Sequence, residues 1–369
     1  MCVVGARPNF VKAAPVLHAL TARGDVDVKV VHTGQHYDRA LSDSFFEHLS
    51  MPRPDHYLGV GSASHAQQTA AVMVGIERPL VDSRPAALIV VGDVNSTVGA
   101  ALVAAKLGVA VIHLESGLRS GDWSMPEEIN RAVTDRVSDL LLCHCSDAVD
   151  NLAAEGTSRD KVALVGNTMI DSLFRLLPAA RQRGAIARHG LEPGGYVLVT
   201  LHRPALVDRP ERLAAVISVL ARLADTLPVV VPMHPRNKAR LDGVLPSGPT
   251  GFLATDPLDY LDFIELEASS RLVVTDSGGV QEETSALGVP CLTYRDNTER
   301  PVTIELGTNR LVGLDPHALA IAGEEELARP RRQGRPIPLW DGHAGERAAT
   351  AILEMLESRH GVTWRSEAA

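Results

Sequence analysis

The chain has 369 residues, 45% of them hydrophobic but only 4% aromatic, and carries a net charge of −9 with a pI near 5.9. That length accommodates two domains of ordinary size, each with a core built from Ala, Val and Leu. The acidic balance argues against nucleic acid or a membrane surface as a general partner, since both favour basic patches. No apolar run reaches the roughly eighteen residues that a membrane span needs.

Met1-Cys-Val-Val gives way at once to Gly5-Ala-Arg-Pro, without the sustained apolar stretch of a signal peptide, and reads as a shortened first strand. Apolar runs at 28–31, 87–91, 110–114 and 139–143 alternate with Ala-rich helical patterns, which predicts a parallel sheet with helices on both faces. Residues 175–194, rich in Arg, Ala, Pro and Gly, read as a helix followed by a connection. Strand-like runs then resume at 196–200, 228–232, 251–253, 271–275 and 290–293. Apolar positions at Ala348, Ala349, Ile352, Leu353 and Leu356 have helical spacing. The expected organisation is a first Rossmann-like domain over 1–175, a second over 190–345, and a helix over 346–369 returning to the first. Two doubly wound sheets facing across a cleft would place ligands at the C-terminal ends of their strands.

The four cysteines, Cys2, Cys143, Cys145 and Cys291, are too few and scattered for a disulfide framework, which fits a reduced, cytoplasmic setting. Cys143-His-Cys145 lacks the second ligand pair of a structural zinc site, so no metal is expected.

The chemistry-bearing residues follow the strand runs. In the first βα turn, Arg7 and, one helical turn later, Lys12 read either as capping-turn charges or as a clamp on a diphosphate. Asp93 follows the 87–91 run, Glu115 the next, and Glu127 opens a helix after Pro126. Each carboxylate alone is ordinary capping material, but three in one cleft create acid and base partners. His202 opens the second half, placed for proton transfer or leaving-group stabilisation. His234-Pro-Arg236 reads as a further strand-end turn; Leu258 and Phe263 fit either a planar base or a helix-entry staple. Thr275-Asp-Ser277-Gly278-Gly279 reads as a strand, a tight turn and a helix N-terminus that suits a diphosphate. The following Glu282 and Glu283 suit ribose hydroxyls, and Arg300 returns a guanidinium to the nucleotide side.

Taken together, Gly-Asp93 with Ser-Thr, His-x-Glu115-x-Gly-Leu-Arg, Met-Pro-Glu127-Glu-Ile-Asn-Arg, Val165-Gly-Asn-Thr168, His202-Arg-Pro and Asp276-Ser-Gly-Gly-x-Gln-Glu-Glu283 resemble the non-hydrolysing UDP-N-acetylglucosamine 2-epimerases, of GT-B-like fold. The resemblance covers nearly the whole chain. It implies a cofactor-free enzyme, without NAD or metal, that interconverts UDP-N-acetylglucosamine and UDP-N-acetylmannosamine through 2-acetamidoglucal and UDP. It also implies a homodimer. Carried over by position, Asp93, Glu115, Glu127 and His202 become the catalytic set. Arg7, Lys12, Ser277, Gly278, Gly279 and Arg300 match phosphate-side positions, Glu283 the ribose contact, and Leu258 and Phe263 the uracil pocket.

Two segments depart from the family pattern, Ala205-Leu-Val-Asp208 after His-Arg-Pro and Ser120-Gly-Asp-Trp123-Ser before Met125. Both fall where the sugar, or a second regulatory UDP-sugar, would sit. The competing readings are a hydrolysing relative that releases N-acetylmannosamine and UDP, a GT-B glycosyltransferase, and a nucleotide-sugar sensor without turnover.

Overall fold

The computed structural model describes residues 1–35, 46–207, 209–233, 251–331 and 334–361. Contacts divide the chain into two units, one of Met1–Arg175 joined by the C-terminal stretch from Pro338, the other of Leu176–Ile337.

The first unit is built on seven parallel strands: β1 (Cys2–Val4), β2 (Val30–His32), β3 (His56–Tyr57), β4 (Ala87–Val91), β5 (Ala110–Leu114), β6 (Leu140–Cys143) and β7 (Val162–Leu164). Their order is β3-β2-β1-β4-β5-β6-β7. Every residue of β4 and β5 is buried, which is why both read as near-continuous apolar runs. Each of their buried Val, Leu and Ile side chains contributes about 1.5–3 kcal/mol relative to exposure. The helices are α1 (Arg7–Ala22), α2 (His65–Ser83), α3 (Asn95–Lys106), α4 (Pro126–Val137), α5 (Ser146–Ala154) and α6 (Thr168–Arg181).

The second unit has six parallel strands, β8 (Val197–Thr200), β9 (Val229–Pro232), β10 (Phe252–Thr255), β11 (Leu272–Thr275), β12 (Cys291–Thr293) and β13 (Asn309–Leu311), ordered β10-β9-β8-β11-β12-β13. Its helices are α7 (Ala185–Arg188), α8 (Pro204–Val207), α9 (Pro210–Leu223), α10 (Tyr260–Ser269), α11 (Gly278–Leu287), α12 (Val302–Glu305) and α13 (Pro316–Ala328). Helix α14 (Ala344–His360) returns to the first unit and packs on α1, with Gly345 so close to Pro15 that a Cβ would stand 2.7 Å from its backbone.

Both sheets reverse their winding once, between β1 and β4 in the first and between β8 and β11 in the second. Loops leaving the carboxyl ends at such a reversal splay apart and open a ligand crevice. The segment 175–194, expected as one helix and a connection, lies in the end of α6 and the short α7. Three strands, β3, β7 and β13, were not foreseen; each is two or three residues long at a sheet edge, and β3 and β13 lack an apolar run. All four cysteines are free and buried, and burial pushes the thiols of Cys2, Cys143 and Cys291 up to about 12. Among the described residues, no helix is long and apolar enough to cross a membrane.

Candidate active site

The first reversal point carries the carboxylates. After β1, Gly5 and Ala6 donate their backbone N–H groups to Asn9 Oδ1 at 3.1 and 3.0 Å, and Asn9 Nδ2 donates to the Val91 carbonyl at 3.0 Å. One side chain therefore caps α1 and ties it to the end of β4. Arg7 is exposed at the first position of α1 and makes no ion pair among the described residues. A cation there opposes the helix dipole. Lys12, one turn on, is buried and its ammonium pairs with Glu115, so the structure sets it among the carboxylates and apart from Arg7.

Asp93 follows Gly92, whose φ of +65° makes the turn out of β4. The Asp93 carboxylate, 28% exposed, pairs with the buried Arg131 guanidinium of α4. Asn130 Nδ2, the neighbouring residue of α4, donates to the Asp93 carbonyl at 2.9 Å. Glu115 leaves β5 with φ +67°, a left-handed conformation rare for a residue with a Cβ and common where a site over-determines its backbone.

Adjacent helical residues point about 100° apart, and this splits the Glu127-Glu128 pair. Glu128 is buried, accepts the N–H groups of Ser120 and Gly121 at 3.0 and 2.8 Å, and meets Arg131 Nη2 at 2.6 Å. Burial alone would raise its pKa, but those N–H groups and Arg131 outweigh it and hold the carboxyl below its ordinary range. Glu127 is half-buried and makes no hydrogen bond or ion pair among the described residues. Trp123 is exposed, and Arg119 forks onto Glu155 at 2.6 and 2.7 Å.

The second reversal point carries a candidate anion cradle. Asp276, buried after β11, accepts the backbone N–H groups of His202 and Arg203 at 2.9 and 2.8 Å and meets His202 Nδ1 at 2.9 Å. The turn after β8 is thereby tied to the turn after β11. With Nδ1 on a carboxylate, the His202 ring, 60% exposed, turns Nε2 outward. Ser277 is the N-cap of α11 with no side-chain capping bond, leaving the first-turn N–H groups for a ligand. A Cβ at Gly278 would run into the Arg300 guanidinium, so only glycine fits beside it.

Arg300 is buried, with Nε 3.0 Å from Glu282 and Nη1 on Glu299. Glu299 also receives Arg295 at 2.7 Å, and although burial opposes it, the two guanidiniums hold Glu299 well below the carboxylate range. The cradle therefore offers backbone N–H groups and a helix dipole beside an already balanced guanidinium.

The second glutamate pair splits as the first does. Glu282 faces Arg300, while Glu283 accepts from Tyr260 Oη at 2.6 Å. Behind it Glu267 is 0% exposed, and neither of its oxygens has a hydrogen-bond partner among the described residues. Burial first, then Glu283, pushes the Glu267 carboxyl well above its ordinary value. Burial and Glu283 likewise push Tyr260 up. Leu258 and Phe263 are half-buried against the cluster of Tyr196, Leu198, Val273, Val280 and Cys291. His234, Arg236 and Asp208 lie outside the described residues.

The structure thus sets Asp93, Glu115, Lys12 and Arg7 at the first reversal point, with Glu127 at the start of α4, and His202, Ser277, Gly278, Gly279 and Arg300 at the second. Arg131, as the cation on Asp93, was not foreseen. Its signal was an arginine in the first turns of a helix, on the side of two glutamates, in a segment that the structure buries.

A family model described as UDP-N-acetylglucosamine 2-epimerase matches residues 18–353. A UDP-2,3-diacetamido-2,3-dideoxy-D-glucuronate 2-epimerase of Pseudomonas aeruginosa is 40% identical, the alignment covering 96% of this chain and 98% of that protein. The UDP-N-acetylglucosamine 2-epimerase of Methanocaldococcus jannaschii is 38% identical over 94% of this chain and 96% of its own length. The crystal structure of that enzyme in complex with UDP-GlcNAc and UDP superposes with a TM-score of 0.87, covering 95% of this chain and 98% of that one.

Proposed function

Because the chain belongs to the UDP-N-acetylglucosamine 2-epimerase family, we propose that it inverts C2 of a UDP-2-acetamido sugar by elimination and re-addition of UDP. The second unit holds the nucleotide: the N-terminus of α11, Ser277 and Gly278 receive the diphosphate, Glu283 the ribose, and Leu258 with Phe263 the uracil. His202, steadied by Asp276, stabilises the departing phosphate oxygen.

The C2 proton passes to a carboxylate as the C1–O bond breaks, leaving 2-acetamidoglucal and UDP. A second carboxylate then delivers a proton to the opposite face of C2 while a UDP oxygen re-forms the bond to C1. Every atom returns, so no oxidant or reductant is consumed. The observation carrying this reading is the set of three carboxylates in the first unit, two of them on buried cations and the third, Glu127, half-buried and unpaired among the described residues. A carboxylate beside a fixed cation is held in place to receive a proton, the work of a general base.

UDP-N-acetylglucosamine is the first substrate to test. The 40% identity to an enzyme named for a diacetamido-glucuronate sugar favours, as a second reading, a sugar further substituted at C3 and C6. Incubation of each UDP-sugar in heavy water tests both. Deuterium at C2 with UDP-sugar at equilibrium supports epimerisation, stoichiometric free UDP indicates hydrolysis, and a sugar that never gains deuterium removes the epimerase reading.

A further inference from the structure

A buried histidine lies between the two turns that present Asp93 and Glu115. His113, in the middle of β5, is 0% exposed. Its Nε2 is 2.8 Å from the Gly92 carbonyl and its Nδ1 is 2.6 Å from Asp135 Oδ1. A carbonyl only accepts, so Nε2 carries a proton. Asp135 also only accepts: burial would raise its pKa, but His113 and Arg119 outweigh that and hold the carboxyl below its ordinary range. The ring is therefore held from both sides, by the Gly92 carbonyl and the Asp135 carboxylate.

The contacts continue on both sides. The Gly92 N–H donates to the Leu114 carbonyl at 3.0 Å, so the Gly92 residue is pinned at both polar groups to consecutive residues of β5. Asp135 Oδ2 accepts the Gly117 N–H at 3.1 Å and meets Arg119 Nη1 at 2.8 Å. Gly92, Glu115 and Gly117 all have left-handed φ, at +65°, +67° and +79°. A bulky Cβ is barred at Gly117, where it would strike the Ala148 carbonyl. One polar chain therefore fixes two left-handed turns against each other, with His113 at its centre.

We infer that His113, acting with Asp135, is a positioning residue for the C2 chemistry: it sets the distance between the Asp93 and Glu115 turns. This rests on the proposed epimerase function. A purely structural histidine would matter for stability and leave the chemistry of the folded enzyme untouched. A positioning residue acts differently, because misplacing a reacting group by about 1 Å costs about 100-fold.

The test uses the whole enzyme with His113→Gln and, should that variant not fold, Asp135→Asn, which keeps the ring but replaces the carboxylate that holds it. The measurements are kcat, KM, C2 deuterium incorporation and UDP affinity by calorimetry, each per folded molecule. The expected result is a fall in kcat of about 100-fold, with KM and UDP affinity within about twofold. A variant with wild-type kcat, whatever its melting temperature, overturns the inference while leaving the function standing. A wild-type enzyme that exchanges no C2 hydrogen overturns the function and this inference with it.

Discussion

The two reversal points share a winding pattern but not an electrostatic one. In the first unit the carboxylates are met by buried cations, Glu115 by Lys12 and Asp93 by Arg131, so charge is concentrated and balanced at the surface of the sheet. In the second unit the exposed groups are backbone N–H donors and an imidazole. The acids behind them, Glu267 and the Tyr260 phenol, are pushed toward their neutral forms by burial. A site that moves protons needs ionised groups in fixed places. A site that grips a diphosphate needs donors, and tolerates carboxylates only where they are neutral or already paired. On the proposed function, the same topology serves both because its reversal point fixes where loops open and leaves their charge to the sequence.

That contrast is sharpest for Asp93. Asp93→Asn removes a proton acceptor from one unit without touching the other, so turnover should fall by about 10³-fold while calorimetric UDP affinity stays near wild type. Equal losses in both would dissolve the division of labour. Next in size is Gly278→Ala. The new methyl must displace the Arg300 guanidinium and crowd the α11 N-terminus, which should weaken UDP binding by about 10- to 100-fold, as expected for lost charge-assisted hydrogen bonds. Deuterium incorporation at saturating UDP-sugar should change much less; a turnover loss at saturation matching the affinity loss would show that the cradle also does the chemistry.

The smallest effect is on stability. Glu267 has a folded pKa raised above its unfolded value, so the folded state keeps a proton that the unfolded state releases above about pH 4.3. The acid's contribution is thus fully present below that pH and is lost as pH rises toward the folded pKa, with a slope of at most about 1.4 kcal/mol per pH unit. Urea midpoints between pH 5 and 8 should fall with pH more steeply in wild type than in Glu267→Gln. Parallel slopes would mean Glu267 is ionised in the folded protein, and the contrast between the units would shrink.

Much of this was legible in the sequence because doubly buried strands write continuous apolar runs. Ala87–Val91 and Ala110–Leu114 fall where their residues place them. His56-Tyr57 and Asn309–Leu311 do not write such runs, since strands at the margin of a sheet bury less of themselves, while Val162–Leu164 is apolar but only three residues long. Within the candidate site, strand-end position pointed to Asp93, Glu115 and the Ser277-Gly278 turn. What no spacing encoded was pairing across the chain: Lys12 meets a carboxylate 103 residues away and Arg131 one 38 residues back. The His113-Asp135 contact has a faint trace, a histidine inside an apolar strand run, which must find partners if it is buried. The split of each glutamate pair follows from helical geometry once a helix is assigned, but which member faces inward depends on what packs there.

On the proposed function, the left-handed backbone of Glu115 sets natural selection for activity against selection for heat resistance. A side chain other than glycine or asparagine in that conformation costs about 1–2 kcal/mol. A library screened for residual fold after heating would therefore drift at position 115 toward those two residues and shed the carboxylate. Position 12 would change next, because a buried lysine deprived of its counter-ion is a worse liability than the turn ever was. Paired loss at 12 and 115 would be the signature of thermal hardening at the expense of catalysis, and retention of both in a hardened variant would mark selection that kept turnover in view.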